Sequence, residues 1–391
     1  MISNKKRVLL RAPLLTISGY GVHSRQIFDY FSQRKDIDLT VQLLNWGITS
    51  WMIDSDLEGG LIGKIMACSK EVKQPFDLSV QVQLPDEWDN KIAYKNIGVS
   101  AFVETDICNP EWIKKCDLMS EIIVPSSFLK SVIERSGTTS RKINIVHEHF
   151  NSYIIKNSHN VKFDLNLKKK FNFLILGQLT GNNENNDRKN TVNMIKWFCE
   201  TFADNPNVGL VLKTNMGRCT IKDRKSTTLA ARELVGKFRK GKYPVIELIH
   251  GNMKSEEIAE IYKHKQIKCI LSATRGEGYG LPLVDAASAG MPVVATNWSG
   301  HMDFLDEEYI TPLEYELKEI HASRVDNRIF INGAKWAEVS EHEFKKKVLS
   351  VYENYSIAKK KAQRMQQKIR ENFSRQAILS RYDEVFDKYL K

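Results

Sequence analysis

The sequence predicts an α/β protein made of two successive doubly wound domains. Short apolar runs alternate with segments of helical periodicity from one end of the chain to the other. Two of the runs end in glycine turns that open helices, in "SGYGVHSRQ" and in "RGEGYGLPLVD". A polar, irregular stretch, "NSYIIKNSHNVKFDLNLKKK", divides the first strand–helix series from a second of the same kind. The length of 391 residues accommodates two or three domains, taking about 150 residues for each.

The first series opens with "RVLLRA" as a strand, and "SGYGVHSRQIFDYFSQR" is a glycine turn feeding an amphipathic helix. "DLTVQLLNW", "LSVQVQL", "NIGVSAFVE", "EIIVPS" and "INIVHEHF" follow as strands. The second series starts at "FNFLILGQL" and continues through "NVGLVLKT", "YPVIELIHG", "IKCILSA" and "MPVVATN". The end is helical and charged, and "FSRQAILSRYDEVFDKYL" spaces its apolar residues for one buried face. No internal repeat is visible. The expected organisation is a first domain over 1–155, a linker over 156–170, a second domain over 171–365 and a closing helix over 366–391.

Composition removes several classes. No apolar run reaches the roughly 18 residues of a membrane span. "VLLRAPLLTI" is broken by Arg11 and lacks a small-residue cleavage site, so it reads as a buried strand and not a leader. The six cysteines form no C-x-x-C pair, which points to free thiols in a reducing compartment and away from zinc. The net charge of +11 is concentrated: "KKKAQRMQQKIR" at 359–370 holds six basic residues and no acid, and 218–242 is also basic. Each segment suits an anionic membrane surface, nucleic acid or a polyanionic acceptor, or is simply a solvated helix face. The 359–370 stretch has no interleaved aromatics, which argues against a platform for single-stranded nucleic acid.

The stretch "RGEGYGLPLVDAASAGMPVVATNWSG", Arg275 to Gly300, concentrates the chemistry. Pro282 suits the first turn of a helix, Gly290 its end, and Pro292 forbids continuation before the strand "VVAT". The turn Gly276 to Leu281 therefore presents free backbone donors and a positive helix end, which suits an anion. Asp285 falls about one turn into that helix, within reach of the same pocket.

This stretch resembles the signature of the group 1 glycosyltransferases, retaining enzymes of the GT-B fold. Glu277, Gly278, Tyr279, Gly280, Leu281, Pro282, Gly290 and Pro292 match it directly, and Asp285 stands where glutamate is usual. "SGYGVHSRQI" is similar to the family's N-terminal glycine loop, "GQLTGNNENNDRKNTVNMIKWF" to the opening of its donor domain, and the last helix to one that crosses back to the first domain. The resemblance implies two Rossmann-like domains facing a central cleft. It implies that Glu277 holds hydroxyls of the transferred sugar, Asp285 the ribose, and the glycine backbone the diphosphate. It places Arg188 and Lys189 at the phosphates, with Lys213 at the end of a neighbouring strand and Gln178 where many relatives carry arginine. Gly19, Tyr20, Gly21, His23 and Glu104 fall on the acceptor side.

His147 and His149 read as packing residues, and the Asp-x-Asp pairs at 36–38 and 54–56 as surface acids. The expectation is a cytoplasmic retaining hexosyltransferase without metal or other cofactor, peripheral at a membrane at most. Its partners would be a nucleotide-sugar and a glycan or lipid-linked glycan. The alternatives are a sugar transferase acting on modified nucleic acid and a non-catalytic basic module with a GT-B shell.

Overall fold

A computed structural model describes residues 5–73, 75–156, 165–178 and 183–391. The chain divides into two compact units, one of residues 1–149, 327–331 and 375–391 and the other of 150–326 and 332–374. The closing segment joins the first unit from residue 375, and 366–374 stays with the second. Most of the expected linker, 157–164, lies outside the described residues.

The first unit contains strands β1 (Lys6–Ala12), β2 (Ile37–Leu43), β3 (Phe76–Val82), β4 (Ala93–Val99), β5 (Glu121–Val124) and β6 (Ile143–Ile145). They form one sheet in the order β2-β1-β3-β4-β5-β6, and all pairs are parallel. Its helices are α1 (Gly19–Ser32), α2 (Leu61–Cys68), α3 (Pro110–Leu118) and α4 (Ser127–Ser136). The sequence dictates these starts: Ser18 caps α1 by accepting the Gly21 amide, and Asn109 caps α3 just ahead of Pro110.

The second unit holds β7 (Phe171–Leu176), α5 (Thr191–Thr201), β8 (Val208–Thr214), α6 (Ile221–Phe238), β9 (Val245–His250), α7 (Ser255–Lys263), β10 (Ile267–Ser272), α8 (Leu281–Ser288), β11 (Val293–Thr296) and β12 (Thr311–Leu313). Its sheet runs β12-β11-β10-β7-β8-β9, again all parallel. Counted within the unit this is the 3-2-1-4-5-6 order of the Rossmann fold, with its switch point between β7 and β10. A core of Phe173, Phe198, Phe202, Leu210, Leu271 and Phe344 locks helices onto the sheet. An antiparallel pair, β13 (Tyr315–Glu319) with β14 (Lys335–Val339), precedes α9 (Glu341–Glu353) and α10 (Tyr355–Asn372). The last helix, α11 (Arg375–Leu390), packs in the first unit, where Tyr382 and Phe386 meet Tyr30 and Phe31.

The basic run at 359–370 lies on α10, and part of it serves the helix that carries the glycine turn. Lys359 donates to the Gly290 carbonyl, while Gln366 and Arg370 donate to that of Ser288. These are the open carbonyls at the end of α8, where cations are favoured. Lys368 pairs with Asp306 at 2.7 Å. All six cysteines are free thiols. Among the described residues, no helix is long and apolar enough to cross a membrane.

Candidate active site

In an open parallel sheet of this kind, ligands sit beyond the carboxyl ends of the strands at the switch point. There the second unit places a small cavity lined by Gly177, Lys189, Thr191, Glu277, Gly280 and Pro282. Gly177 follows β7, and the Glu277 loop follows β10.

The loop from β10 to α8 is held on both sides. The Arg275 amide donates to the Arg188 carbonyl at 2.9 Å, and the Glu277 amide to Ser299 Oγ at 2.9 Å. The Glu277 carbonyl accepts from the Gly300 amide, also at 2.9 Å. A Cβ on Gly300 would stand 2.1 Å from the Gly278 carbonyl oxygen, so only glycine allows this approach. Gly280 caps α8 in the left-handed region at φ 106° and offers no side chain to the first turn. Tyr279 is buried against Phe304, so its ring belongs to the core. Leu281 is the first residue of α8, with Pro282 behind it.

The cations come from the turn before α5. Asp187 accepts the amides of Thr191 and Val192 through Oδ2, at 2.6 and 3.2 Å, and Asn190 takes the left-handed conformation at φ 56°. That turn aims Lys189 Nζ at both oxygens of Glu277, at 2.6 and 2.7 Å. Arg188 donates to the Gly276 carbonyl at 2.5 Å and lies 3.6 Å from Glu277 Oε2. Burial alone would raise the Glu277 carboxyl, but Lys189 and then Arg188 outweigh it and hold it down at about 2. Glu277 is therefore a buried carboxylate at neutral pH.

Asp285, on the second turn of α8, is buried and accepts the Asn151 amide at 2.7 Å through Oδ1. Burial raises its carboxyl to about 7, against the opposing pull of that bond. Lys213 donates to Asn215 Oδ1 and to the Gly251 carbonyl, at 2.8 and 2.9 Å, and burial lowers its ammonium to about 8. Gln178 is exposed at the edge of a stretch whose residues 179–182 lie outside the described ones.

Sequence reasoning assigned no role to four residues that shape this site. Asp187 fixes the cation turn, and its position ahead of a helix was a readable sign. Arg275 reaches the carbonyls of Glu184 and Asp187, tying that turn to the glycine loop. Ser299, at φ 85°, supplies the hydroxyl that anchors Glu277. His301 is buried beneath Gly280, with Nε2 at 2.6 Å from the Thr296 carbonyl, which fixes the proton on that nitrogen. No local pattern marked the last three.

In the first unit, Gly21 is sterically required, since a Cβ would meet the Thr16 carbonyl oxygen at 2.1 Å, whereas Gly19 has open space around it. The Tyr20 hydroxyl bonds Ser100 Oγ and the Ala101 amide, and the ring stacks on Trp46 at 3.7 Å. His23 is buried near the Tyr382 hydroxyl, and burial, then His149, lowers its imidazole to about 4. Glu104 is half-buried beyond β4. His147 contacts Arg381, and Asp36 pairs with Arg34.

A Rossmann-order unit, a parallel partner sheet and a glycine turn carrying a paired carboxylate at the switch point are the features of a GT-B glycosyltransferase. Residues 247–372 match the sequence model of the family described as "Glycosyl transferases group 1". The resemblance read from the glycine stretch therefore holds over residues 247–372, where the chain carries the sequence pattern of this glycosyltransferase group. Solved structures agree over the whole length. Sucrose-phosphate synthase from Thermosynechococcus elongatus is 12% identical and superposes with a TM-score of 0.66, covering 98% of this chain and 99% of that one. A glycosyltransferase from Rickettsia africae is 15% identical, with a TM-score of 0.65 and 99% of both chains covered. HepE from Anabaena, solved with UDP and glucose, is 12% identical, with a TM-score of 0.64 over 98% of this chain and 100% of that one. Likeness at this identity establishes the fold. No curated protein sequence matches the chain significantly.

Proposed function

We propose that the protein is a retaining hexosyltransferase that moves a hexose from a nucleoside diphosphate sugar to a hydroxyl of a glycan or lipid-linked glycan, without a metal. The observation that carries this reading is the buried Glu277 carboxylate gripped by Lys189 beside the open first turn of α8. Breaking the bond from the sugar C1 to the diphosphate oxygen leaves negative charge on the diphosphate, which needs fixed positive groups nearby. Lys189, Arg188 and the amides at the start of α8 supply them. Glu277 accepts hydrogen bonds from sugar hydroxyls, and a carboxylate binds these more strongly than a neutral acceptor. Asp285 takes the ribose. The acceptor oxygen forms its bond to C1 on the face the diphosphate leaves, and its proton passes to a diphosphate oxygen, so no protein nucleophile is required.

UDP-glucose is the first donor to test, because HepE was solved with UDP and glucose. A panel of UDP- and GDP-sugars screened by thermal shift, followed by assays of donor hydrolysis in EDTA, tests the reading. At least one donor should raise the melting temperature and be hydrolysed slowly. A panel with neither effect would remove the proposal, and hydrolysis abolished by EDTA and restored by Mn²⁺ would remove its metal independence.

A further inference from the structure

We propose that the outward face of α6 docks on an anionic lipid surface. The helix has two distinct sides. Inward, Thr227 and Ala231 are buried, while Leu234, Val235 and Phe238 pack on the core of the second unit. Outward, Lys222, Lys225, Leu229 and Arg232 follow the i, i+3, i+7, i+10 spacing of a single stripe, and all four are exposed. Leu229 is 59% exposed and Ile221, beside the start of the stripe, 78%. Lys237, Lys240 and Lys242 extend the exposed positive charge past the end of the helix.

Acid is nearly absent from this face. Asp223 is engaged in the helix cap, where its Oδ2 accepts from Thr220 and Arg218, and Glu233 is the exposed acid that remains in 221–242. The charge fits a surface of anionic headgroups, and such attraction acts within a Debye length. The apolar residues decide between anionic partners. Leu229 and Ile221 gain free energy only where they leave water, which a lipid interface offers and a phosphate backbone does not. Phe238 faces inward, so the stripe presents no ring for stacking bases. The other basic segment is a poorer candidate, because Lys359, Lys368 and Arg370 are already paired on α10. The inference stands on this face alone; it suits a lipid-linked acceptor but does not depend on the donor chemistry.

Full-length protein sedimented with equimolar phosphatidylglycerol–phosphatidylcholine vesicles tests it. Binding is expected at low ionic strength and should be lost on pure phosphatidylcholine and in about 1 M salt. Replacing Lys222, Lys225 and Arg232 together with glutamine should weaken partitioning about a hundredfold, and Leu229→Ser alone about tenfold. Replacing Lys360, Lys361 and Arg364 removes the same charge from α10 and should leave binding within about twofold. Circular dichroism and donor-induced thermal shift report folding and the donor site separately from vesicle binding. No binding to anionic vesicles, an equal loss in the two triple variants, or binding indifferent to Leu229→Ser and fully displaced by duplex DNA would each overturn the proposal.

Discussion

Lys189 grips Glu277 through both carboxylate oxygens, at 2.6 and 2.7 Å, and Arg188 stands 3.6 Å from one of them. The carboxylate and the two cations thus act as each other's counter-ions. On the proposed function, a nucleoside diphosphate sugar would satisfy both partners at once, its phosphates attracting the cations while its hydroxyls meet the carboxylate. Binding would then be an exchange of partners, which avoids leaving either buried charge uncompensated.

Glu277→Gln should keep the fold and lower turnover by about 10²-fold or more, the scale of a preorganised polar contact in a site that excludes water. The wild-type carboxyl also carries a pH signature. It is held at about 2 against an ordinary value of 4.5, so its contribution to stability is present above about 4.5 and is lost as pH falls through about 2. Melting curves between those limits should fall for the wild type and be flatter for the variant. Near-normal turnover in Glu277→Gln would sink the donor-site assignment.

Lys189→Ala removes the nearest cation and leaves Glu277 with Arg188 as the charge facing it at 3.6 Å. Donor KM should rise and kcat should fall together, because the lost charge serves both the bound diphosphate and the departing one. The two effects should amount to about tenfold or more in each constant. Unchanged kinetics would mean that the diphosphate charge is met elsewhere.

The glycines predict a contrast. Gly300→Ala would force a Cβ to 2.1 Å from the Gly278 carbonyl oxygen, and Gly21→Ala to the same distance from that of Thr16. Each should destabilise by about 1–3 kcal/mol, as overpacking does, and Gly300→Ala should also displace Glu277 and abolish most activity. Gly19→Ala meets nothing within 4 Å and should be neutral or slightly stabilising in the first turn of α1. Thermal unfolding of the three variants decides it.

The strands β1 to β11 were legible because each is an apolar run bounded by polar or turn residues, and α8 because glycine and proline punctuate both its ends. The β13–β14 pair was not, since β13 is only five residues long, almost wholly exposed, and sets just Tyr315 and Leu317 among charged residues. Charge runs were poor guides: 359–370 reads as a solvated or membrane-facing helix, yet Lys359 and Arg370 close the end of α8. Tyr279 sits inside a glycine motif that reads as pocket lining, and its ring is in the core. The bond from Asn151 to Asp285 joins residues 134 apart in sequence, and no local pattern announces it.

That bond supports the last prediction. Burial raises the Asp285 carboxyl from 3.8 to about 7, and the Asn151 amide offsets only part of the rise. The folded protein thus holds this proton more tightly than the unfolded chain. The stabilisation is full below about 3.8 and is lost as pH rises through about 7, beyond which a buried carboxylate with one backbone donor must be tolerated. Asp285→Asn keeps an oxygen for the Asn151 amide and removes the ionisation. Melting temperature should fall with pH more steeply in the wild type than in the variant between about 4 and 7, whatever their absolute difference. The carboxylate would then be retained at a thermodynamic disadvantage for binding, because ionised acceptors hold the ribose diol more strongly than an amide does. Donor KM measured at a pH above 7 should accordingly rise in the variant. Parallel melting profiles would refute the buried-acid account, and an unchanged KM would take Asp285 out of ribose recognition.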